Sequence, residues 1–447
     1  MRFSELDGAS VGVWGAGREI RSFAEQLARR LPQARIAVAA FDTPPAADVR
    51  EVLHAPRASV VSGDEIAPAL ARCEVIVRSP GVSIHRPELR SLRAAGIPVT
   101  TATALWLAER DGVGVIGVTG TKGKSTTAAL ACHLVAATGR SVRLAGNIGV
   151  AALDLLDDDP SQTAVVELSS YQIADLEVGP EVAVLTNLYR EHLDWHGTEE
   201  SYRAEKLRVL DLPGVRACVL NARDGHLSAL TPRVPVRQFG SAEGWDVLAG
   251  AVAFEGRPVL DVAQLPLLGE HNGFNLCAAL AAMEALGVDP PPLPGSLQGF
   301  QALPHRLQTV AREGGLVWVN DSISTTPEST LAALASFPGR ELVLIAGGQD
   351  RGQEYGELGR VLADRGAAVI GVPSTGARLI DAATSAGVPQ ARALFAPDLA
   401  AAVAHARALA HAGAVVLLSP AAPSYDFYAN FEDRGERFGA LAREPAA

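Results

Sequence analysis

The segment Gly117-Val-Thr-Gly-Thr-Lys-Gly-Lys-Ser-Thr126 constrains this chain more than any other. It follows the apolar run Val113–Val118 and precedes a stretch of helical character, Ala128–Ala137. A strand, a glycine-rich turn and a helix start carrying Lys124 and Ser125 make a phosphate cradle, in which backbone N–H groups and one fixed cation face an anion. The usual spacing is Gly, four residues, then Gly-Lys-Ser/Thr; here Val118 holds the first glycine's place and Gly117 comes one residue early. Gly120 and Gly123 supply the two flexible positions. A chain built around this turn is expected to be an α/β protein that handles a nucleoside triphosphate.

The alternation of strand and helix runs through the whole sequence. Ser10–Trp14 reads as a strand, Gly15-Ala-Gly17 as a turn, Glu19–Arg30 as a helix, and Arg35–Phe41 and Val75–Val77 as further strands, the last ending in Ser79-Pro-Gly-Val82. This implies a doubly wound parallel sheet. Gly15 and Gly17 are two thirds of a dinucleotide fingerprint, with Ile20 where the third glycine would stand, and Asp42 ends the second strand, where a carboxylate can take a ribose hydroxyl. A glycine turn without a ligand is the alternative. A link near 96–103 leads to strands Val113–Thr119, Ala164–Leu168, Val182–Thr186 and Ala217–Leu220, and to a helix Asn272–Leu286. A third unit follows, with strands Leu316–Asn320, Leu342–Ala346, Ala368–Val372 and Val415–Ser419 and helices near 328–335, 356–365, 376–386 and 398–412. The expected fold is thus three α/β domains: Rossmann-like at residues 1–102, a mostly parallel ATPase-like sheet at 103–305, and Rossmann-like again at 306–447. A length of 447 residues fits several cores.

A net charge of −11 without a long basic tract argues against nucleic acid and anionic membranes as partners. Cys73, Cys132, Cys218 and Cys277 are widely spaced, which suggests neither a zinc site nor a disulfide framework; Cys132 and Cys277 read as buried thiols. No apolar run reaches the ~18–20 residues of a membrane span, and Met1-Arg-Phe-Ser-Glu leads into a strand instead of a signal-peptide core, so a cytoplasmic location is expected.

In open α/β sheets ligands sit at the carboxyl ends of strands. Glu167 and His192 leave such ends in the unit that holds the phosphate turn, and a carboxylate beside a triphosphate suggests magnesium, whereas imidazole is an unusual magnesium ligand. By residue type alone, His192 reads as an ordinary loop histidine and Lys206 as a solvated helical lysine; Asp321, closing the first strand of the third unit, could meet the nucleotide across a cleft, with a turn-forming Asn-Asp as the alternative.

Taken together in order, Gly120–Thr126, Gly146-Asn-Ile-Gly149, Glu167-Leu-Ser-Ser-Tyr-Gln172, the His192-Leu-Asp194 loop, Tyr202-Arg-Ala-Glu-Lys206, Gly269-Glu-His-Asn272, Leu303-Pro-His-Arg306, Asn320-Asp-Ser322 and Ser419-Pro-Ala421 give a chain that resembles the Mur ligase family along essentially its whole length. The resemblance is to members that add glutamate to UDP-N-acetylmuramoyl-L-alanine. It implies that ATP phosphorylates the substrate carboxylate, that the amine of glutamate attacks the resulting acyl phosphate, and that ADP and phosphate leave. Gly120, Thr121, Lys122, Gly123, Lys124, Ser125 and Thr126 would cradle ATP, with Asn272, Arg306 and Asp321 also on the nucleotide. Ser125 and Glu167 would hold one magnesium ion; His192 and a carbamylated Lys206 would hold a second. Lys124, Glu167, His192 and Lys206 are thereby the catalytic set. Gly15, Gly17, Arg18, Asp42, Thr43, Ser79, Pro80, Gly81 and Asn147 would bind the UDP substrate, and Thr325, Arg351, Ser424, Tyr425 and Phe431 the glutamate. A monomer is implied.

The sequence departs from the family in places. Lys122 replaces the usual Asn of the phosphate loop, Glu191 stands for the usual Asp before the histidine, and Arg351 stands where a Lys is usual. Asn320-Asp-Ser-Ile-Ser-Thr-Thr-Pro327 replaces the Asp-Ser-Lys-Ala-Thr of the D-glutamate-adding enzymes and resembles a branch that adds L-glutamate; L-glutamate is favoured here and D-glutamate is the alternative. A folylpolyglutamate synthase-like ligase and a nucleotide-binding protein without catalysis are the competing functions. An NAD-dependent oxidoreductase would rest on Gly15-Ala-Gly17 alone.

Overall fold

The computed structural model describes residues 1–45, 48–189, 198–267, 269–301 and 303–444. The chain forms two compact units. One takes in Met1–Leu265 and His271–Phe300; the other takes in Pro266–Glu270 and the chain from Gln301 onward. Among the described residues the first unit carries two sheets and the second carries one.

The first sheet is wholly parallel. Its strands are β1 (Ser10–Trp14), β2 (Arg35–Phe41), β3 (Ser59–Ser62), β4 (Val75–Arg78) and β5 (Val99–Thr100), in the order β3-β2-β1-β4-β5. Helices α1 (Arg18–Arg30), α2 (Ile66–Leu70) and α3 (Pro87–Ala94) connect them. Strand alternation sends Val11, Val13 and Val77 to one apolar cluster and Trp14, Val38 and Ile76 to another. The stretch expected to be a link, 96–103, instead supplies β5, which pairs with β4, and the start of α4 (Ala102–Glu109), capped by the Thr101 hydroxyl. Nearly every side chain of α4 is buried, and Trp106 joins a core cluster that runs from α1 to the elements of the second sheet. A helix that is apolar all round belongs inside.

The second sheet runs β14-β13-β12-β11-β10-β9-β6-β8-β7. Its parallel part is β6 (Val115–Thr119), β7 (Val142–Gly146), β8 (Thr163–Glu167), β9 (Val182–Leu185), β10 (Ala217–Asn221), β11 (Val236–Phe239) and β12 (Trp245–Leu248). Strand β6 begins two residues later than expected, because Gly114 takes φ +68° and Val113 is half exposed. Helices α5 (Lys124–Ala137), α6 (Ser170–Ile173), α7 (Glu199–Leu207), α8 (His271–Ala285) and α9 (Leu293–Ser296) complete this region. Helix α5 starts at Lys124, so the expected helix start carries Lys124 and Ser125 and runs on through the stretch of helical character at Ala128–Ala137. The antiparallel strands β13 (Ala251–Phe254) and β14 (Arg257–Asp261) are not among the strands expected from the sequence. Their two-residue loops, Ala249-Gly250 and Glu255-Gly256, take positive φ at both positions, as a type I′ turn requires.

The second unit has one sheet in the order β15-β16-β20-β17-β18-β19. Strands β16 (Leu316–Asn320), β17 (Leu342–Ala346), β18 (Ala368–Gly371), β19 (Ala393–Phe395) and β20 (Val415–Leu418) are parallel, and β15 (Gln308–Glu313) is antiparallel to β16. Helices α10 (Pro327–Ala335), α11 (Gly356–Asp364), α12 (Gly376–Ala386), α13 (Leu399–Leu409) and α14 (Phe431–Arg443) flank it. Both faces are covered: Val319, Leu344, Val369 and Leu417 pack on one side and Trp318, Ile345, Ile370 and Leu418 on the other. Each such buried side chain contributes roughly 1.5–3 kcal/mol. Cys132, expected to be buried, is only partly so, while Cys277 is buried. Among the described residues no helix is long and apolar enough to cross a membrane.

Candidate functional site

Strand β6 lies between β8 and β9, fully buried, and delivers the phosphate-loop sequence to the carboxyl edge of the second sheet. Glycine is required at both flexible positions. Gly120 takes φ +137°, and a Cβ there would stand 2.0 Å from Thr186 Oγ1; Gly123 takes φ +83°, and its Cβ would meet Asn275 Oδ1 at 2.3 Å. The end of β9 holds the loop from one side. Thr121 N donates to Asn187 O (2.9 Å), Lys122 N to Asn187 Oδ1 (2.7 Å), and Thr186 Oγ1 to Lys122 O (2.6 Å). The Thr121 hydroxyl also pairs with Tyr202 OH at 2.9 Å.

Two lysines hold carbonyls of this loop. Lys124 Nζ donates to Thr121 O at 2.9 Å, and Lys206 Nζ donates to Gly120 O at 2.6 Å. Lys206 is 2% exposed and lies over the Tyr202 ring at 4.7 Å, so it is no solvated helical lysine. Ser125 and Thr126 are buried in the first turn of α5, where a helix offers N–H groups without intrahelical partners. Asn272 and Asn275 share a face of α8, Asn275 Nδ2 donating to Asn272 Oδ1 at 2.9 Å. Sequence reasoning singles out Asn272 and misses Asn275, although a spacing of three residues on one helix places the two side by side.

Glu167 ends β8, level with Val118 of β6. It is 1% exposed; Oε1 accepts from Asn147 Nδ2 at 3.2 Å, and Oε2 has no hydrogen-bond partner among the described residues. A buried carboxylate oxygen left unpaired is costly, and a divalent cation is the partner that fits a hard anionic oxygen beside a phosphate cradle. The buried, unpartnered Glu167 oxygen therefore suits magnesium among the described residues. No cluster of three His, Cys, Asp or Glu able to hold a metal occurs among the described residues. His192, Glu191 and Asp194 lie outside the described residues.

Beyond Glu167, Ser169 and Gln172 form a capping box on α6, and the Gln172 amide reaches Glu19 Oε1 (2.6 Å) on α1 and Thr103 Oγ1 (3.3 Å) on α4. Burial raises the pKa of Glu19 above the ordinary carboxylate value, against hydrogen bonds from Gln172 and Thr103 and the charge of Arg18.

The carboxyl edge of the first sheet is moulded differently. Gly15 takes φ +98°, and a Cβ there would lie 2.8 Å from Ser79 Cβ. Arg78, which sequence reasoning missed, is fully buried. It donates to the carbonyls of Ser79, Pro80 and Val82 at 3.2, 3.0 and 2.6 Å and pairs with Asp175 at 2.5 Å, so the Ser79-Pro80-Gly81 loop wraps a guanidinium. An arginine closing the otherwise apolar Val75-Ile-Val-Arg78 was the available signal. Burial lowers the pKa of Arg78, and Asp175 opposes that. Arg18 turns to the second sheet, donating to Gly146 O (2.5 Å) and Gly149 O (2.9 Å). Asp42, Thr43, Gly17, Gly81 and Asn147 are exposed.

In the second unit, Asp321 follows β16 and is 3% exposed. Its carboxylate accepts from Ser419 Oγ (2.8 Å) and Leu307 N (3.2 Å), and burial raises its pKa against these bonds and the charge of Arg306. Ser424 is buried and Thr325 half-buried; Arg351 is exposed, its guanidinium 5.9 Å from the exposed Tyr425 ring. Phe431 meets the His305 ring edge-on at 5.9 Å. Arg434, also missed, is buried and ties three strand-end segments together. It donates to Ser322 Oγ (3.0 Å), Ser322 O (2.9 Å), Ala422 O (3.1 Å) and Gly347 O (3.4 Å), and burial brings its pKa down to about 10.

Residues 118–283 match the Mur ligase middle domain, and residues 305–422 match the Mur ligase glutamate ligase domain. The chain is 44% identical to a UDP-N-acetylmuramoyl-L-alanine–L-glutamate ligase of Micromonospora sp., covering 100% of this chain and 99% of that one. It is 43% identical to the protein of the same name from Xanthomonas campestris pv. campestris, covering 100% and 98%. Among solved structures it resembles MurF ligase from Thermotoga maritima in complex with ADP (TM-score 0.57, 19% identity, 99% and 96% covered) and UDP-N-acetylmuramate-alanine ligase MurC from the same organism (TM-score 0.58, 17% identity, 96% and 98% covered); at these identities the likeness speaks for the fold. Full-length identity of this order, together with the matched middle and C-terminal domains, makes the chain a member of the Mur ligase family.

Proposed function

We propose that this protein joins L-glutamate to UDP-N-acetylmuramoyl-L-alanine in the cytoplasm, as a monomer, cleaving ATP to ADP and phosphate. The observation that carries this reading is the glycine loop at Gly120–Gly123, with two lysines on its carbonyls and the unpartnered Glu167 oxygen at the neighbouring strand end, in a chain whose full-length relatives carry that name. We assign residues 1–102 to the UDP substrate, 103–305 to ATP, and 306–447 to the amino acid and the nucleotide.

A carboxylate is inert to amines because its leaving group would be oxide. In the proposed reaction a carboxylate oxygen of the substrate bonds to the γ-phosphorus as the bond to ADP breaks. The glutamate nitrogen then bonds to the acyl carbon, loses a proton, and the carbon–oxygen bond to phosphate breaks. Two anions must meet in the first step, so positive charge is needed. Lys124 and the N-terminus of α5 supply it to the phosphates, and Lys122 adds to the field. Ser125 and Glu167, with His192 and a carbamylated Lys206, are the groups that would hold magnesium, which when bound would supply further charge neutralisation. Asn272, Arg306 and Asp321 are assigned to the nucleotide. Gly15, Gly17, Arg18, Asp42, Thr43, Ser79, Pro80, Gly81 and Asn147 are assigned to the UDP substrate, and Thr325, Arg351, Ser424, Tyr425 and Phe431 to glutamate, where Arg351 offers a carboxylate a two-pronged grip.

The test is a ligation assay with each glutamate enantiomer at equal concentration. Phosphate release should depend on both the UDP substrate and L-glutamate, with one amide-linked product by mass. A clear preference for D-glutamate, or phosphate release indifferent to either substrate, would overturn the reading.

A further inference from the structure

Three side chains from three elements converge at the carboxyl edge of the first sheet. Trp14 ends β1, Asp42 follows β2, and Arg86 immediately precedes α3. The Trp14 indole Nε1 donates to Asp42 Oδ1 at 3.1 Å, and Arg86 Nη1 donates to the same oxygen at 2.7 Å. The Arg86 guanidinium also lies over the Trp14 ring, 4.8 Å from its centroid, and its other nitrogens reach Glu88 at 3.3 and 3.5 Å. Trp14 is 1% exposed and packed in the cluster of Val38, Ala40 and Ile76, so the indole donor is fixed by the core. Asp42 is 54% exposed at its side chain, and Oδ2 has no hydrogen-bond partner among the described residues.

An exposed aspartate in water samples several rotamers, and a ligand that uses it must order it first. Here two donors on Oδ1 have done that ordering, one of them immobile. Oδ2 is left as an acceptor on a carboxylate bonded to Trp14, the residue before the Gly15–Gly17 turn, at the strand edge where parallel sheets bind nucleotides. We propose that Trp14 and Arg86 are positioning residues which hold the Asp42 carboxylate with Oδ2 turned outward to accept a hydrogen bond from the nucleoside part of the diphosphate substrate, a ribose hydroxyl being the donor. This rests on the function proposed above.

The test uses the full-length chain, with UDP as a calorimetric probe and the UDP substrate in steady-state kinetics. Trp14→Phe keeps the ring and removes the donor; Arg86→Met keeps the stem and removes the fork. Each should weaken UDP binding and raise KM for the UDP substrate roughly tenfold, the size of a lost charge-assisted hydrogen bond. The change should fall in that KM and not in kcat or in KM for ATP. Both effects should vanish in an Asp42→Ala background. The unaltered protein should bind UDP more tightly than 2′-deoxy-UDP, and Asp42→Ala should abolish that preference. Unchanged UDP affinity in variants that melt normally, effects that persist without Asp42, or a ribose preference that survives Asp42→Ala would each overturn the proposal. UDP binding is read without any ligation, so failure of the ligase reading would show separately.

Discussion

The turn after β6 and the turn after β1 both leave a buried strand through a glycine at positive φ, Gly120 and Gly15, and enter a helix, yet the structure holds them in opposite ways. Around Gly120–Gly123, neighbouring side chains reach in: Thr186 and Asn187 bond the loop, Lys206 caps the Gly120 carbonyl, and Asn275 packs on Gly123. Around Gly15–Gly17, the turn's own helix reaches out. Arg18 goes to carbonyls of the second sheet, and Glu19 goes to Gln172 and Thr103. One turn is braced by its neighbours; the other doubles as the joint between two sheets. The same local grammar therefore carries different mechanical duties, and residue type within the turn does not say which.

The sharpest way to break this comparison is Lys124→Met. Losing the fixed cation of the braced loop should lower ATP-dependent phosphate release by at least about 100-fold, with the melting temperature little changed. Retained turnover would remove the phosphate loop from the mechanism. Next come the glycines themselves. Gly120→Ala should destabilise the protein by about 1–3 kcal/mol in a thermal melt, and more than Gly15→Ala, because its Cβ would stand 2.0 Å from Thr186 Oγ1 and 3.0 Å from Thr186 N, against 2.8 Å from Ser79 Cβ at Gly15. The reverse order would mean that the first turn is the more tightly braced.

Glu19 gives a pH signature confined to the joint. Its folded pKa is raised by burial, so the native state binds more protons than the unfolded chain between the ordinary carboxylate value of 4.5 and the folded value. Its contribution is complete at low pH and is lost as pH rises through that window, at up to about 1.4 kcal/mol per pH unit. Glu19→Gln, whose amide oxygen can still accept from Gln172, should match the parent near pH 4 and melt higher than it at pH 8. An advantage independent of pH would assign the effect to something other than ionisation. The smallest effect is Arg18→Met, which removes donors to Gly146 and Gly149; about 1 kcal/mol is expected, read as a few degrees in melting temperature.

Both turns, the helices that follow them and most central strands were legible because their signals are local. Apolar runs such as Leu342–Ala346 and Arg35–Phe41 form strands with those bounds, since a parallel strand covered on both faces is apolar throughout. Short or two-sided elements were harder: β5 has two residues and β13 sits in a hairpin whose Ala-Gly loop lacks the commoner Asn-Gly signal. At the site, Lys124, Glu167 and Asp321 could be found from their strand ends. Arg78 and Asn275 carried a local signal that did not say what they bond, and Arg434 carried none, because it is meaningful only through what it bonds in distant segments.

Sequence alone thus determined that this is an α/β chain with a phosphate loop and the motif order of the Mur ligases, since glycine spacing and apolar periodicity act within a few residues of themselves. Only the tertiary structure decided that Lys206 is buried on the loop, that Arg78 and Arg434 are interior cations wrapped by carbonyls, and that Trp14 and Arg86 share one oxygen of Asp42. Burial and hydrogen-bond direction depend on which remote backbone arrives beside a side chain, and no local pattern encodes that arrival.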